Sequence, residues 1–498
     1  MSRINTRTAN LPSWFRGAKN IITRILCGSN GDFNSVKTQN LQTFTETENK
    51  MEFQVQLPQN GYRFAGKLKT RSVSEIHTSN WTLGCETLDR DFANYHEYKE
   101  YLVPLGIKTV RFQGGWAKTE QERGIYNFSW LDEIINDACS RGLNVLLETD
   151  YGNPIYPGGG GWDLGGGFPV SAEALAAWDR WVEAMALRYK DKVRDWAMWN
   201  EPDNKNHTPE MIADFNIRTA EIIRQIIPDA RIAGLSLART DPWFLEQCLQ
   251  RIKDAGKEQL FTWFIYHGYC ANPDQSYFHV EELKATLKRL IPHARMRQGE
   301  NGCPSERVEK FALSGYPWTE LSQAKWDLRR MLGDLGHDVE SAIFTICDFN
   351  HVGREINRKG LLRADASHKV LGPKLAYSAV RNLTAIFDDR LERIGNGTAS
   401  LIYEKDTSLF VYREKSTGNL LLNWWDCSGI PSEERKAKPG QLILYKETVA
   451  DPVWVDLVSG MVWEIPLETI SVSGDFTIFH DIPVYDSPVV LTKKSFLE

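Results

Sequence analysis

A chain of 498 residues is too long for one ordinary hydrophobic core, so a large domain with a smaller accessory one is expected. Its composition, 42% hydrophobic and 25% charged, is that of a folded globular chain. A formal net charge of −6 without any lysine or arginine run argues against nucleic acid as the main partner, and no apolar stretch is long enough to cross a membrane.

Residues 1–47 are polar and nearly aperiodic, and read as an N-terminal extension that wraps the body or is partly disordered. Their apolar run, 21–27, is broken by Arg24 and makes a poor signal-peptide core. The eight cysteines are scattered without C-x-x-C or Cys/His metal spacing, so mostly free thiols and a cytoplasmic location are expected. Within 48–75, Phe53, Val55 and Leu57 alternate with Glu52, Gln54 and Gln56. That is a half-buried strand, expected to join a β-rich domain made by the far end of the chain.

From about residue 76, strands and helices alternate. Strands are predicted at 81–84, 108–112, 143–147, 196–199, 231–235, 261–266, 295–298 and 342–346, with helical periodicity between them and a closing helix at 373–383. Eight such units over roughly 300 residues match a (β/α)8 TIM barrel, here spanning 76–390. The glycine-rich loop 158–167 lacks a Lys-Ser/Thr ending, so it is no phosphate cradle and is expected to be a mobile wall of a cleft. After Gly395-Asn396-Gly397 the pattern changes to short alternating runs at 408–412, 420–424, 441–445, 453–457, 461–465, 476–479 and 489–491. These read as an antiparallel β-sandwich over 391–498.

Two strand ends carry the chemistry. Trp196 to Trp199 is a short apolar run that Asn200-Glu201-Pro202 must end, because proline cannot continue a ladder. By itself Glu201 could simply cap the next helix. A second glutamate, Glu300, follows the seventh predicted strand between Gly299 and Gly302, glycines that would let ligand approach the backbone. Parallel barrel strands all finish at one face, so the two carboxylates can meet there. At about 5 Å they would serve as nucleophile and acid/base of a retaining glycosidase.

Trp199-Asn200-Glu201-Pro202, Gly299-Glu300-Asn301, and Gly124-Ile125-Tyr126-Asn127-Phe128 with Leu131-Asp132 together resemble clan A retaining glycoside hydrolases, most closely family 39, the β-xylosidases and α-L-iduronidases. The resemblance covers about 76–390 and fits a barrel followed by a β-domain. It implies Glu201 as acid/base, Glu300 as nucleophile, Asn200 as partner of the sugar 2-hydroxyl and Arg111 as the cation holding the nucleophile ionised. His267 and Tyr269 match the sixth-strand position that approaches nucleophile or substrate. Trp116, Trp162, Asp150, Tyr151, Glu86 and Asp348 are further subsite candidates. The sequence departs from the clan at strand eight, where Ile346-Cys347-Asp348-Phe349 stands in place of a tryptophan platform. Phe349, or a tryptophan of the glycine-rich loop, is the expected substitute.

The expected function is an exo-acting retaining O-glycosidase, β-xylosidase- or β-galactosidase-like, acting on short carbohydrate substrates without metal or organic cofactor. A non-catalytic carbohydrate-binding protein on a degenerate barrel and a transglycosidase remain alternatives. Assembly as a homo-oligomer is left open.

Overall fold

The structure, a computed structural model, describes residues 54–498 apart from 59–60, 165 and 351–354. The 1–47 extension and residues 51–53 of the predicted first strand lie outside the described residues.

Eight parallel strands form one sheet: β1 (Trp81–Gly84), β2 (Thr109–Gln113), β3 (Asn144–Glu148), β4 (Asp195–Ala197), β5 (Arg231–Leu237), β6 (Trp263–Tyr266), β7 (Arg295–Gln298) and β8 (Ser341–Ile343). Neighbours in sequence are neighbours in the sheet, and β1 also pairs with β8. Between β7 and β8, Arg297 bridges Glu340, and the Gln298 amide donates to the Glu340 carbonyl at 2.9 Å. This is the (β/α)8 barrel. Its strands are covered on both faces, so they are buried almost throughout. Leu146, Ala197, Ala233, Trp263 and Ile265 make a buried cluster across β3 to β6.

Several helices start on side-chain caps. Ser171 accepts from the Ala174 amide ahead of helix Ala172–Tyr189, and Thr208 from the Met211 amide ahead of Pro209–Ile226, which carries a proline in its first turn. Trp178 and Trp181 on the first of these helices pack with Trp116, Trp199 and Phe215 in an aromatic layer against the barrel. Trp199 is thereby fixed immediately before Asn200-Glu201.

The C-terminal region holds two antiparallel sheets. The larger runs Arg63–Lys67, Met461–Glu464, Pro452–Asp456, Val489–Lys493, Leu420–Asp426, Thr407–Glu414, Leu391–Ile394. The smaller runs Ala399–Ile402, Lys438–Tyr445, Phe476–Val484, Ile470–Ser473. Trp424 links them by donating its indole N–H to the Pro483 carbonyl at 3.1 Å. Strand Arg63–Lys67 precedes the barrel in sequence yet pairs with Met461–Glu464, and Gln56 bridges Lys436.

Helix Glu320–Gly336 lies between barrel and β-domain and is buried on nearly every side. Its Lys325 ammonium donates to the Ser432 carbonyl (2.9 Å), the Glu434 carbonyl (2.5 Å) and Asp486 Oδ1 (2.5 Å). Arg329 pairs with Asp274 and reaches the Gly429 carbonyl at 3.0 Å. A buried cation such as Lys325 is stabilised by acceptors on this scale. The seven described cysteines are free, and no helix among the described residues is long and apolar enough to cross a membrane.

Candidate active site

The C-terminal ends of the strands converge on Arg111, which projects from β2 and is almost fully buried. Its Nη1 contacts Glu300 Oε2 and Glu86 Oε1, each at 3.0 Å, and donates to the Gly299 carbonyl at 3.1 Å. Its Nη2 donates to Glu148 Oε2 at 2.8 Å and to Asn200 Oδ1 at 2.7 Å. Burial alone would lower the Arg111 pKa, but Glu148, Glu86 and Glu300 outweigh it and hold the guanidinium firmly charged.

Glu300 takes its second hydrogen bond from the Tyr269 hydroxyl, 3.0 Å from Oε1. Burial pushes its pKa up, yet the charges of His267 and Arg111 and the bonds from Arg111 and Tyr269 prevail, leaving it below the ordinary carboxylate range. Glu300 is therefore held as a carboxylate at neutral pH. The glycines beside it make room for protein and not for ligand. A Cβ on Gly299 would stand 2.3 Å from Ile265 Cγ2, and one on Gly302 2.0 Å from the Phe344 carbonyl oxygen.

Glu201 turns into the site on a left-handed backbone, φ 49° and ψ 50°, with its amide bonded to the Ser236 carbonyl at 2.9 Å. Its Oε2 accepts from Asn204 Nδ2 at 2.7 Å, and its Oε1 lies 2.9 Å from His267 Nδ1. Burial lowers the pKa of His267, but the Glu300 charge and the bond to Glu201 raise it further, so the net shift is upward. The same ring nitrogen faces Glu300 Oε2 at 4.0 Å. Oxygens of Glu201 and Glu300 and a nitrogen of His267 all fall within 4.8 Å of one another. Those three groups have the spacing of a metal site, but the Arg111 guanidinium already contacts Glu300, and a dication there would meet a fixed positive charge.

Solved structures share this architecture. A family 39 glycoside hydrolase from Bacteroides cellulosilyticus WH2 superposes with a TM-score of 0.61 at 14% identity, covering 83% of this chain and 81% of that one. A monomeric β-xylosidase from Caulobacter crescentus CB15 superposes with a TM-score of 0.53 at 14% identity, covering 88% and 98%. The fold is that of the clan A glycoside hydrolases. In sequence, the family model for the family 42 β-galactosidases matches residues 86–155. A 6-phospho-β-glucosidase of Clostridium longisporum is 25% identical over 145 residues, 26% of this chain and 28% of that enzyme. The chain therefore spans little more than a quarter of the length of that relative.

At the mouth of the barrel, Glu86, Arg111, Asn200, Glu201, His267, Tyr269 and Glu300 come together. Tyr151 and Asp150 sit at the edge of the group. Tyr151 accepts from Asn200 Nδ2 at 3.1 Å, and Asp150 Oδ2 from Gln113 Nε2 at 2.9 Å. Trp162 packs against Phe92, Phe344 and Phe349. Two expectations are corrected. Trp116 is core: fully buried, it stacks on Tyr156 and Trp181 and donates to Glu120 at 2.5 Å. Asp348 is a structural clamp, held by Lys374 at 2.6 Å and Arg358 at 3.2 Å. The glycine-rich loop is tied down by its own backbone, with Gly152 bonded to Gly161 (2.7 Å) and Asn153 to Gly159 (2.9 Å). A Cβ on Gly159 or Gly160 would stand 2.1 Å from a carbonyl oxygen, which explains the run of glycines without invoking motion.

Sequence reasoning missed Glu148, Gln113 and Phe344. Glu148 is the last residue of β3, so a full count of strand-end acids would have found it. Phe344 directly follows β8, which ends at Ile343, three residues before the predicted end. It is the aromatic residue at the strand-eight terminus, packed edge-on against Phe349 at 5.6 Å.

Proposed function

We propose that the protein is a retaining O-glycoside hydrolase working through Glu300 and Glu201, exo-acting on β-xyloside- or β-galactoside-like substrates. The observation that carries this is the approach of the two carboxylates to within 4.8 Å. Retaining enzymes hold theirs about 5–5.5 Å apart, whereas inverting enzymes need roughly 6.5–9.5 Å to seat a water. In the first step Glu300 attacks the anomeric carbon as the bond to the leaving oxygen breaks, and Glu201 gives that oxygen its proton. In the second, Glu201 takes a proton from water, the water oxygen attacks the same carbon, and Glu300 is released. Asn200 has its Oδ1 held by Arg111 and one amide proton on Tyr151, leaving the other for the sugar 2-hydroxyl.

Incubation with a panel of chromogenic aryl glycosides tests the reading. At least one should show burst release of the chromophore, and Glu300→Gln should lower turnover by about five to six orders of magnitude. Full activity in that variant, or inverted product by NMR, refutes the assignment. Products longer than the substrate at high sugar concentration would instead mark a transglycosidase.

A further inference from the structure

Among the groups on Arg111, the two-glutamate mechanism leaves Glu86 without a task. It follows the end of β1, and its Oε1 contacts the same Nη1 nitrogen that holds Glu300 Oε2, each at 3.0 Å. Its other oxygen, Oε2, is buried and has no hydrogen-bond partner among the described residues. Glu148 Oε1, Asp150 Oδ1 and His267 Nε2 are in the same condition. Native folds rarely bury polar atoms unpaired, and a group of them at one barrel mouth is what a polyhydroxylated ligand would satisfy. The chain also makes room for this carboxyl: a Cβ on Gly84 would stand 2.4 Å from Glu86 Oε2.

We propose that Glu86 is a substrate-binding residue that works as a neutral acid, donating the Oε2 proton to a hydroxyl oxygen of the sugar above Glu300 while Oε1 accepts from Arg111. The proposal rests on the glycosidase reading. Burial pushes Glu86 up to about 8, with Arg111 pulling the other way and Glu300 and Glu148 adding to the rise. The titratable groups acting on it are Arg111 from β2, Glu148 from β3, Tyr269 after β6, Glu300 after β7, Tyr98 from helix Tyr95–Leu102, and the adjoining Cys85. Only Arg111 among these is a cation. Loss of the proton removes the donated hydrogen bond and sets a second anion beside the nucleophile on one guanidinium nitrogen. Binding and turnover therefore fall as pH rises through about 8.

Glutamine copies the shape and donor of the neutral acid but cannot ionise. The test is kcat/KM against pH for the wild type, Glu86→Gln and Glu86→Ala, on an aryl glycoside that the wild type cleaves and Glu300→Gln does not. Glu86→Gln should lose the alkaline limb near pH 8 whatever its activity at pH 6, while Glu86→Ala should lose about 10- to 100-fold, chiefly in KM. An infrared difference spectrum between the wild type and Glu86→Gln should show a protonated carboxyl band at pH 6 that fades above pH 9. An alkaline limb unmoved in Glu86→Gln, or no such band at pH 6, overturns the proposal while leaving the glycosidase reading intact. A wild type that cleaves no glycoside sinks both.

Discussion

Replacing Arg111 by methionine preserves much of the side-chain volume but removes the cation in contact with Glu86, Glu148 and Glu300 at 3.0, 2.8 and 3.0 Å. Leaving a buried charge without its partner costs about 3–5 kcal/mol. An independent bound comes from protonation, the variant's way to relieve the strain. Neutralising a carboxylate of ordinary pKa near 4.3 at pH 7 costs about 3.7 kcal/mol, at roughly 1.4 kcal/mol per pH unit, so the two routes agree. At pH 5 the same neutralisation costs only about 1 kcal/mol. The sign follows from Glu300, whose folded pKa is depressed. Its contribution to stability is present above the ordinary carboxylate range and is lost as pH falls through the folded value. Urea unfolding of the wild type and Arg111→Met should thus show a deficit of about 4 kcal/mol at pH 7 that shrinks towards 1 kcal/mol at pH 5. The acid limb of kcat/KM should move upward in the variant, because Glu300 then holds its proton. Arg111→Lys should rescue little, since one ammonium cannot reach acceptors on both sides of the fork. Equal deficits at both pH values would refute the argument.

Two further outcomes follow from the same geometry. Glu201→Ala should still release activated phenols in the first step but stall in the second, and azide should restore turnover as a glycosyl azide of retained configuration; failure of azide to rescue removes Glu201 from the acid/base role. Lys325→Ala should cost about 3–5 kcal/mol in urea unfolding, because Asp486 and two carbonyls lose their buried donor; a variant as stable as the wild type would show that junction to be slack.

The barrel was legible because most of its strands, covered on both faces, read as short dense apolar runs, with β7, Arg295-Met296-Arg297-Gln298, the exception. Strand ends were less so. β8 was expected to reach Ile346 but stops at Ile343, since nothing local in the run from Ala342 to Ile346 marks where the ladder gives out. That slip hid Phe344 and directed attention to Asp348, which Lys374 and Arg358 occupy. Trp116 misled for a related reason: a tryptophan after a strand can face sugar or core, and only the neighbouring helix with Trp178 and Trp181 decides. Strands Leu391–Ile394 and Ala399–Ile402 lie at sheet edges and carry no strong alternation, and Ile470–Ser473, at another edge, alternates over only a short run, so all three escaped notice. Glu201 and Glu300 were readable because proline and glycine punctuate their strand ends, whereas their convergence depends on closing the barrel.

The strand Arg63–Lys67 carries a topological consequence. A segment made before the barrel completes a sheet whose other strands are made after it, so the outermost parts of the described chain are zipped together around the middle. Cutting at the sequence boundary near 390 would remove the partner strand of Arg63–Lys67 and strip the cover from Glu320–Gly336, the helix that follows β7. The barrel and the β-domain are therefore separable in sequence but share one buried seam, and a fragment ending near 390 would expose that helix to water.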